Sequence, residues 1–213
     1  QKKNPSIYLY YPYLFNSIFD VEDIPTLNKL SIGGFLFYLN ILHGDYLTDL
    51  NDKNKIERFS EKVLLIQALT EQAITAFKDI FPGDNEFWNA WRLRKKEFAT
   101  MTLSEDTLNY DNFTMEKYEQ LADSKVAFAK GAIDACYILG GSKKTEEYNS
   151  LLASHKDFSV AYQLCDDIND IKRDIRDNQF NYALYKARKK GVLKDSPSLD
   201  IEKFYYSDVI QEN

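Results

Sequence analysis

Apolar residues recur along most of this chain at spacings of three and four positions, the period of an α-helix with one buried face. Sustained alternation of apolar and polar residues, which is typical of a half-buried strand, is not found. Only 8 of the 213 residues are Gly and 5 are Pro, so few positions interrupt the helical pattern. The sequence therefore predicts an all-α fold built from long helices.

The boundaries of the predicted helices follow from apolar spacing and from clusters of Pro, Gly and polar residues. An aromatic-rich segment at Ser6–Phe19 comes first. The helices expected after it are Pro25–Asn51, Lys55–Phe81, Glu86–Met101, Thr114–Leu139, Lys143–Asp177, Phe180–Lys190 and Ile201–Ile210. No repeat or convincing linker divides the chain, so we expect residues 1–213 to form a single domain whose helices line a central cavity.

Composition narrows the functional classes. A hydrophobic content of 44 % with 15 % aromatic residues predicts a folded globular chain, and a net charge of −6 argues against nucleic acid as the main partner. The apolar run Ile32–Leu42 falls far short of the about 20 residues that cross a membrane. Two cysteines, Cys136 and Cys165, give no disulfide framework and favour the cytoplasm. The first residue is Gln, so a fragment of a longer protein is also possible on these grounds.

One predicted helix concentrates acid among apolar residues, in the segment VAYQLCDDINDIKRDI at Val160–Ile175. Its aspartates fall within roughly a 100° arc of the helix, with Gln163 one turn earlier on the same side. They are Asp166, Asp167, Asp170 and Asp174. Charges about 5 Å apart repel by a few kcal/mol at an effective dielectric constant of about 20, and either solvent or a bound cation must offset that cost.

A second acidic set ends an earlier predicted helix, in LHGDYLTDLND at Leu42–Asp52. Its members are spaced i, i+4 and i+7, so they share one helical stripe. They are Asp45, Asp49 and Asp52. Toward the N-terminus the stripe continues through Ile41, Tyr38 and Gly34, which are candidates for the lining of an apolar cavity. Carboxylates at helix C-termini are disfavoured by the helix dipole, which favours a bound cation near both sets.

Clustered carboxylates select hard cations, and Mg²⁺ held in this way usually keeps phosphate oxygens among its ligands. The two histidines, His43 and His155, are far apart in the sequence and give little support for zinc. If the two sets of aspartates face each other, they would instead hold a diphosphate through several Mg²⁺ ions above an apolar cavity. The ions would stabilise the departing diphosphate, and aromatic rings would stabilise the carbocation that remains.

The segment DDIND at Asp166–Asp170 resembles the DDxxD motif of the class I isoprenoid synthases, the superfamily of polyprenyl diphosphate synthases, squalene and phytoene synthases and terpene cyclases. The stretches Tyr118–Gly141 and Phe158–Asp174 are similar to consecutive helices of the polyprenyl synthases. In this resemblance Lys125 matches a diphosphate-binding lysine, and Gln163 matches the glutamine one turn before the second motif. Lys125 is also expected to share a helical face with Tyr118, Ala129, Ala132 and Cys136.

Two further segments extend the resemblance. DYLTDLND at Asp45–Asp52 resembles the first aspartate motif in its looser form, and DIRDNQFNY at Asp174–Tyr182 is similar to the segment after the second motif of large terpene synthases. Gly44 precedes Asp45 where polyprenyl synthases have adjacent acids, and no Arg–Arg pair follows, which argues against chain elongation. The helices expected before the first motif are curtailed, as in a chain truncated at its N-terminus.

The resemblance implies an isoprenoid synthase-type helical bundle and a role for each site residue. Asp45, Asp49, Asp166 and Asp170 would be catalytic metal ligands, and Asp52, Asp167 and Asp174 would complete the metal site. Lys125, Gln163 and Arg173 would bind the diphosphate end of the substrate, and Tyr38, Ile41 and Gly34 its apolar end.

These expectations combine into a class I terpene synthase that ionises an allylic prenyl diphosphate with Mg²⁺ and controls the carbocation through cyclisation or elimination. A prenyltransferase of the polyprenyl diphosphate or squalene/phytoene synthase type is the enzymatic alternative. A catalytically silent homologue that binds lipid or a partner protein is the alternative from another class. A homodimer is left open.

Each candidate also has a structural interpretation. The set Asp166, Asp167, Asp170 and Asp174 can be a solvated face balanced by Lys172, Arg173 and Arg176. The set Asp45, Asp49 and Asp52 can be a polar helix end. Lys125 can lie at the surface, Gln163 can be a core amide, and the apolar candidates can be ordinary core. The basic stretch of Arg92, Arg94, Lys95 and Lys96 could bind diphosphate, but a solvated face anchored by Trp88 and Trp91 is the favoured interpretation. The histidines are expected to be structural or exposed, and both cysteines to be buried packing residues.

Overall fold

The computed structural model describes residues 5–48, 59–105 and 108–190, and every regular element within these ranges is helical. The α-helices are α1 (Tyr11–Phe15), α2 (Ile24–Thr48), α3 (Phe59–Lys78), α4 (Phe87–Glu105), α5 (Met115–Lys125), α6 (Lys130–Leu139), α7 (Thr145–Asp177) and α8 (Tyr182–Lys189). Short 3₁₀ turns occupy Pro5–Leu9 and Ala127–Ala129. The all-α prediction is confirmed.

The continuous helix predicted over Thr114–Leu139 is interrupted. Its first part is α5 and its second part is α6, and Val126 between them leaves the helical region with φ −108° and ψ 20°. The helical phase that placed Lys125 on the same face as Ala129, Ala132 and Cys136 therefore does not apply. The predicted helix Ile201–Ile210 lies outside the described residues.

The chain divides into two compact units. The first unit is Gln1–Phe98 with Val126–Ala153, and the second is Ala99–Lys125 with Ser154–Asn213. The break between α5 and α6 coincides with this division, because α5 buries Tyr118 in the second unit whereas α6 buries Ile133 in the first. A single domain over residues 1–213 stays a prediction.

In the first unit, α2 and α3 form an antiparallel helical hairpin. Successive positions along α2 contact positions of decreasing number in and just after α3. Lys29 pairs with Asp79, Gly33 lies against Phe77, and Asn40 donates to the carbonyl of Ile66 over 2.9 Å. A Cβ at Gly33 would lie 2.7 Å from the Phe77 ring, so the close approach of the two helices requires glycine there. Gly33 is thus a packing residue.

Aromatic side chains dominate the core of the first unit. Trp91 of α4 lies edge-on to Phe37 of α2 at 4.6 Å between ring centroids, and Phe77 and Phe87 pack against the same indole. Edge-to-face pairs of this kind add to the burial of apolar area that holds the helices together. Trp91 is buried, which confirms for this residue the prediction that a tryptophan anchors the basic stretch of α4.

The second unit has a smaller apolar core, formed by Ile171 of α7 against Ala183, Leu184 and Ala187 of α8. A cluster of aromatic rings, including Phe113, Phe180 and Tyr185, surrounds it. In the described part of this unit, hydrogen bonds between buried polar groups also join α5, α7 and the start of α8. Those polar groups include the predicted site residues.

None of the helices in the described part of the chain is both long enough and apolar enough to cross a membrane.

Candidate functional site

The inner face of α7 in the second unit is polar. Its buried residues are His155, Ser159, Asp167, Ile171 and Asp174. They are 4, 8, 4 and 3 positions apart, so they share one side of the helix and turn three polar groups and a histidine away from solvent. Asp167 is 6 % exposed and Asp174 is 5 % exposed. The acidic turns of this helix are therefore not a uniformly solvated face, and that alternative is wrong for two of the four aspartates.

Asp167 is held by three donors. Gln163 donates to its Oδ1 over 2.8 Å, while the Tyr118 hydroxyl and the backbone N–H of Tyr182 donate to its Oδ2 over 2.9 and 2.8 Å. These donors come from α7, α5 and the start of α8. One carboxylate thus joins three helices, and both of its oxygens are engaged inside the protein.

Asp174 shares a partner with Asp167. The side-chain amide of Asn181 donates to the Asp174 carboxylate over 2.8 Å and to the backbone carbonyl of Asp167 over 2.6 Å. The oxygen of the same amide accepts from the N–H of Leu184 over 3.1 Å and so caps α8. Asn181 is fully buried. It ties the turn after α7 to two points on that helix.

Asp166 and Asp170 lie one helical turn apart and are partly exposed. The side chain of Asp170 is 32 % exposed and forms an ion pair with Arg173, whose guanidinium lies 2.7 Å away. Arg173 also approaches Asp174 at 3.4 Å. The four predicted metal ligands of α7 are thus divided into a buried, hydrogen-bonded pair and a partly exposed pair.

The electrostatics of Asp167 reflect its burial. Burial raises the pKa of this carboxyl above its ordinary range, and the donors Tyr182, Gln163 and Tyr118 oppose that shift by stabilising the anion. The positive charge of Lys125 acts on Asp167 in the same direction as the donors. Burial and the neighbouring Asp167 together raise the pKa of the Tyr118 hydroxyl well above its usual value, so this hydroxyl stays a donor. Lys125 and the acidic turns of α7 therefore interact within the second unit.

The acidic set Asp45, Asp49 and Asp52 can be located only in part. Asp45 stands in α2, but its side chain lies outside the description, and Asp49 and Asp52 lie outside the described residues. Whether the two sets of aspartates face each other stays a prediction.

The apolar candidates on α2 have distinct surroundings. A Cβ at Gly34 would meet no atom within 4 Å, so this position faces open space, unlike Gly33. The ring of Tyr38 stacks on Tyr8 at 4.0 Å, and Ile41 packs against the core of the first unit. Of the three, Gly34 borders open space, whereas Tyr38 and Ile41 make contacts that ordinary packing explains.

Three features differ from the sequence-based expectations. Arg94, expected on a solvated face, is buried and forms two hydrogen bonds of 2.8 Å with Asp134, a residue 40 positions away. Cys165, expected in a core, is exposed, while Cys136 is buried. Asn181 and Tyr118 were not identified as supports of the acidic turns. Asn181 had a detectable signal, since Asn is a favoured residue immediately before a helix.

Within the described residues, no group of three or more His, Cys, Asp or Glu side chains is arranged to hold a metal ion. The site on α7 therefore offers two partly exposed carboxylates, supported by a buried network of polar side chains.

Comparison of this chain with protein-family models, with curated proteins and with solved structures gave no match.

Proposed function

We propose that this protein is a class I isoprenoid synthase, acting as a terpene synthase that ionises an allylic prenyl diphosphate. The proposal rests on the resemblance of the two aspartate motifs, and one structural observation supports it. α7 buries two of its four clustered aspartates and surrounds them with buried hydrogen-bond donors. Because a buried charge costs several kcal/mol unless it is paired, this arrangement indicates that the helix is organised around those acids. A chance acidic surface has no need of such support.

The residues present suit Mg²⁺ in the chemistry of their donors. Asp166 and Asp170 supply hard oxygen ligands one turn apart, and Mg²⁺ characteristically takes one or two carboxylates and completes its coordination with substrate phosphate oxygens and water. In the structure Arg173 pairs with Asp170. In the proposed site its guanidinium would turn to bind the diphosphate instead. Bound Mg²⁺ would supply positive charge to the departing diphosphate.

The chain's own residues carry the remaining tasks. Lys125 and Arg173 would bind diphosphate oxygens as charged donors, which orients the substrate and stabilises charge on the leaving group. Asp167 and Asp174 would keep the acidic turns of α7 in place from within. Prenyl transfer uses the same ionisation and is the enzymatic alternative.

Incubation with C10, C15 and C20 prenyl diphosphates, with and without Mg²⁺, tests the proposal. The expected result is Mg²⁺-dependent release of diphosphate together with a hydrocarbon or alcohol from a single allylic substrate. A strict requirement for a second prenyl substrate would favour a transferase. No diphosphate release from any of the three substrates would overturn the proposal of an enzyme.

One observation favours a catalytically silent homologue. Arg173 forms an ion pair with Asp170 at 2.7 Å, and both oxygens of Asp167 accept hydrogen bonds, so these two carboxylates already have partners within the protein. In that case the protein binds lipid or a partner without turnover. Asp45→Ala and Asp170→Ala distinguish the two: a synthase loses turnover, whereas a silent homologue keeps its binding activity in both variants.

A further inference from the structure

Asn181 uses both ends of its side-chain amide to connect α7 with the start of α8. Its amide nitrogen bridges the backbone carbonyl of Asp167 and the carboxylate of Asp174, seven residues apart along α7, while its amide oxygen caps α8. The side chain is fully buried. A single amide therefore fixes two points of α7 and the start of the following helix at once.

The bridge spans the part of α7 where fixing matters most. α7 ends at Asp177, and the backbone N–H groups of Asn178 and Gln179 donate to the carbonyls of Ile175 and Asp174, so the chain turns at once toward Asn181. Asp170 lies between the two points that Asn181 holds, and Asp166 immediately precedes the first. Bending or rotation of this segment of α7 would change the separation and direction of the two partly exposed carboxylates.

We propose that Asn181 is a positioning residue for a Mg²⁺–diphosphate site at Asp166 and Asp170, and this inference rests on the function proposed above. Asn181 binds neither metal nor substrate. It acts through Asp167 and Asp174, which serve as struts of the helix rather than as ligands. Groups that orient metal ligands typically contribute about 10- to 100-fold to metal affinity, so the loss of this bridge has a measurable effect.

Asn181→Ser removes the bridge between Asp167 and Asp174 and keeps a capping side chain at the start of α8. Serine caps a helix about as well as asparagine, so α8 keeps its first turn, but the short hydroxyl cannot span Asp167 and Asp174. Asn85→Ser is the matched control, because Asn85 accepts from the N–H of Phe87 over 2.8 Å before α4 in the first unit. Both variants lose the same atoms, and only one loses the bridge.

The measurement is the thermal stabilisation of the full chain by inorganic diphosphate as Mg²⁺ is titrated. We expect Asn181→Ser to need about ten-fold more Mg²⁺ for half of the full shift, and Asn85→Ser to match the wild type. Turnover, where present, should show the same change in the Mg²⁺ concentration for half-maximal rate with little change at saturating Mg²⁺. A purely structural role would lower the melting temperature without moving the Mg²⁺ midpoint.

An unchanged Mg²⁺ midpoint in Asn181→Ser would overturn this inference and leave the proposed function intact. A wild type that is not stabilised by Mg²⁺ with diphosphate would overturn the proposed site and this inference with it. Should Asn181→Ser not fold, Asn181→Asp keeps the cap and the side-chain volume. Its carboxylate oxygen would face the Asp167 carbonyl and the Asp174 carboxylate, which are both acceptors, so the bridge is lost. A wild-type Mg²⁺ midpoint in Asn181→Asp would equally contradict the inference.

Discussion

The hydroxyl of Tyr118 donates a hydrogen bond to Oδ2 of Asp167 across 2.9 Å, joining two buried residues that are 49 positions apart in the sequence. The contact ties α5 to the acidic turns of α7. Because both groups are shielded from water, the bond has no solvent substitute, and its loss leaves a buried carboxylate with two donors instead of three.

Tyr118→Phe should therefore destabilise the protein. Removal of one partner from a hydrogen bond to a buried charged group costs about 1–3 kcal/mol, and chemical denaturation followed by circular dichroism measures it. The control is Tyr162→Phe, which removes the hydroxyl of a tyrosine exposed on α7. Its loss should cost no more than about 0.5 kcal/mol. Equal losses in the two variants would contradict a special role for the Tyr118 bond.

The raised pKa of Asp167 predicts a pH dependence. Burial makes the folded protein hold this proton more tightly than the unfolded chain, whose carboxyl titrates near 3.8. The folded state then binds more protons, so this contribution to stability is full below the unfolded pKa and is lost as the pH rises through the folded pKa. Asp167→Asn lacks the effect.

Denaturation of both proteins between pH 3 and pH 7 checks this. The free energy of unfolding of the wild type should fall relative to that of Asp167→Asn as the pH is raised from about 4. A difference that stays constant across the range would show that Asp167 titrates alike in the folded and unfolded states.

Arg94 and Asp134 form a buried ion pair in the first unit, to which Tyr148 and Glu97 add hydrogen bonds. Arg94→Met leaves the Asp134 carboxylate without its cation and should cost about 3–5 kcal/mol. Lys95→Met, at the exposed neighbouring position, should change stability by no more than about 0.5 kcal/mol. Combining Arg94→Met with Asp134→Leu should recover much of the loss, because no uncompensated buried charge remains.

Gly33 and Gly34 are adjacent in α2 and should respond to alanine in opposite directions. Gly33→Ala forces a methyl group against Phe77 and should destabilise the protein by about 1–3 kcal/mol. Gly34→Ala meets open space and should stabilise the helix by up to about 1 kcal/mol. Melting temperatures of the two variants decide the matter, and destabilisation by Gly34→Ala would show that this position is occupied in solution.

The two cysteines should differ in reactivity. Burial raises the pKa of the Cys136 thiol to about 12, and its Sγ lies 3.5 Å from the carbonyl of Pro12, whereas Cys165 is exposed. Because the thiolate is the reactive species, iodoacetamide at pH 8 should modify native protein at Cys165 alone. Peptide mass spectrometry identifies the site, and labelling of Cys136 at a similar rate without denaturant would contradict its burial.

Much of the helical architecture was predictable from local information. Apolar spacing located α2, α3, α4 and α7 to within a few residues, because each of these helices is long and periodic. The interruption between α5 and α6 was not predictable, since each part buries its apolar face in a different unit and the helical period continues through the break.

The sequence by itself determined that four aspartates gather on α7 with Gln163 beside them, because helical geometry fixes which residues share a side. Only the tertiary structure decided which of them are buried. That choice depends on Tyr118, Asn181 and Tyr182, which reach the helix from other parts of the chain. The burial of Arg94 was decided in the same way by Asp134. A side chain's phase on its own helix is a local property, whereas its burial and its partners depend on which distant residues pack against it.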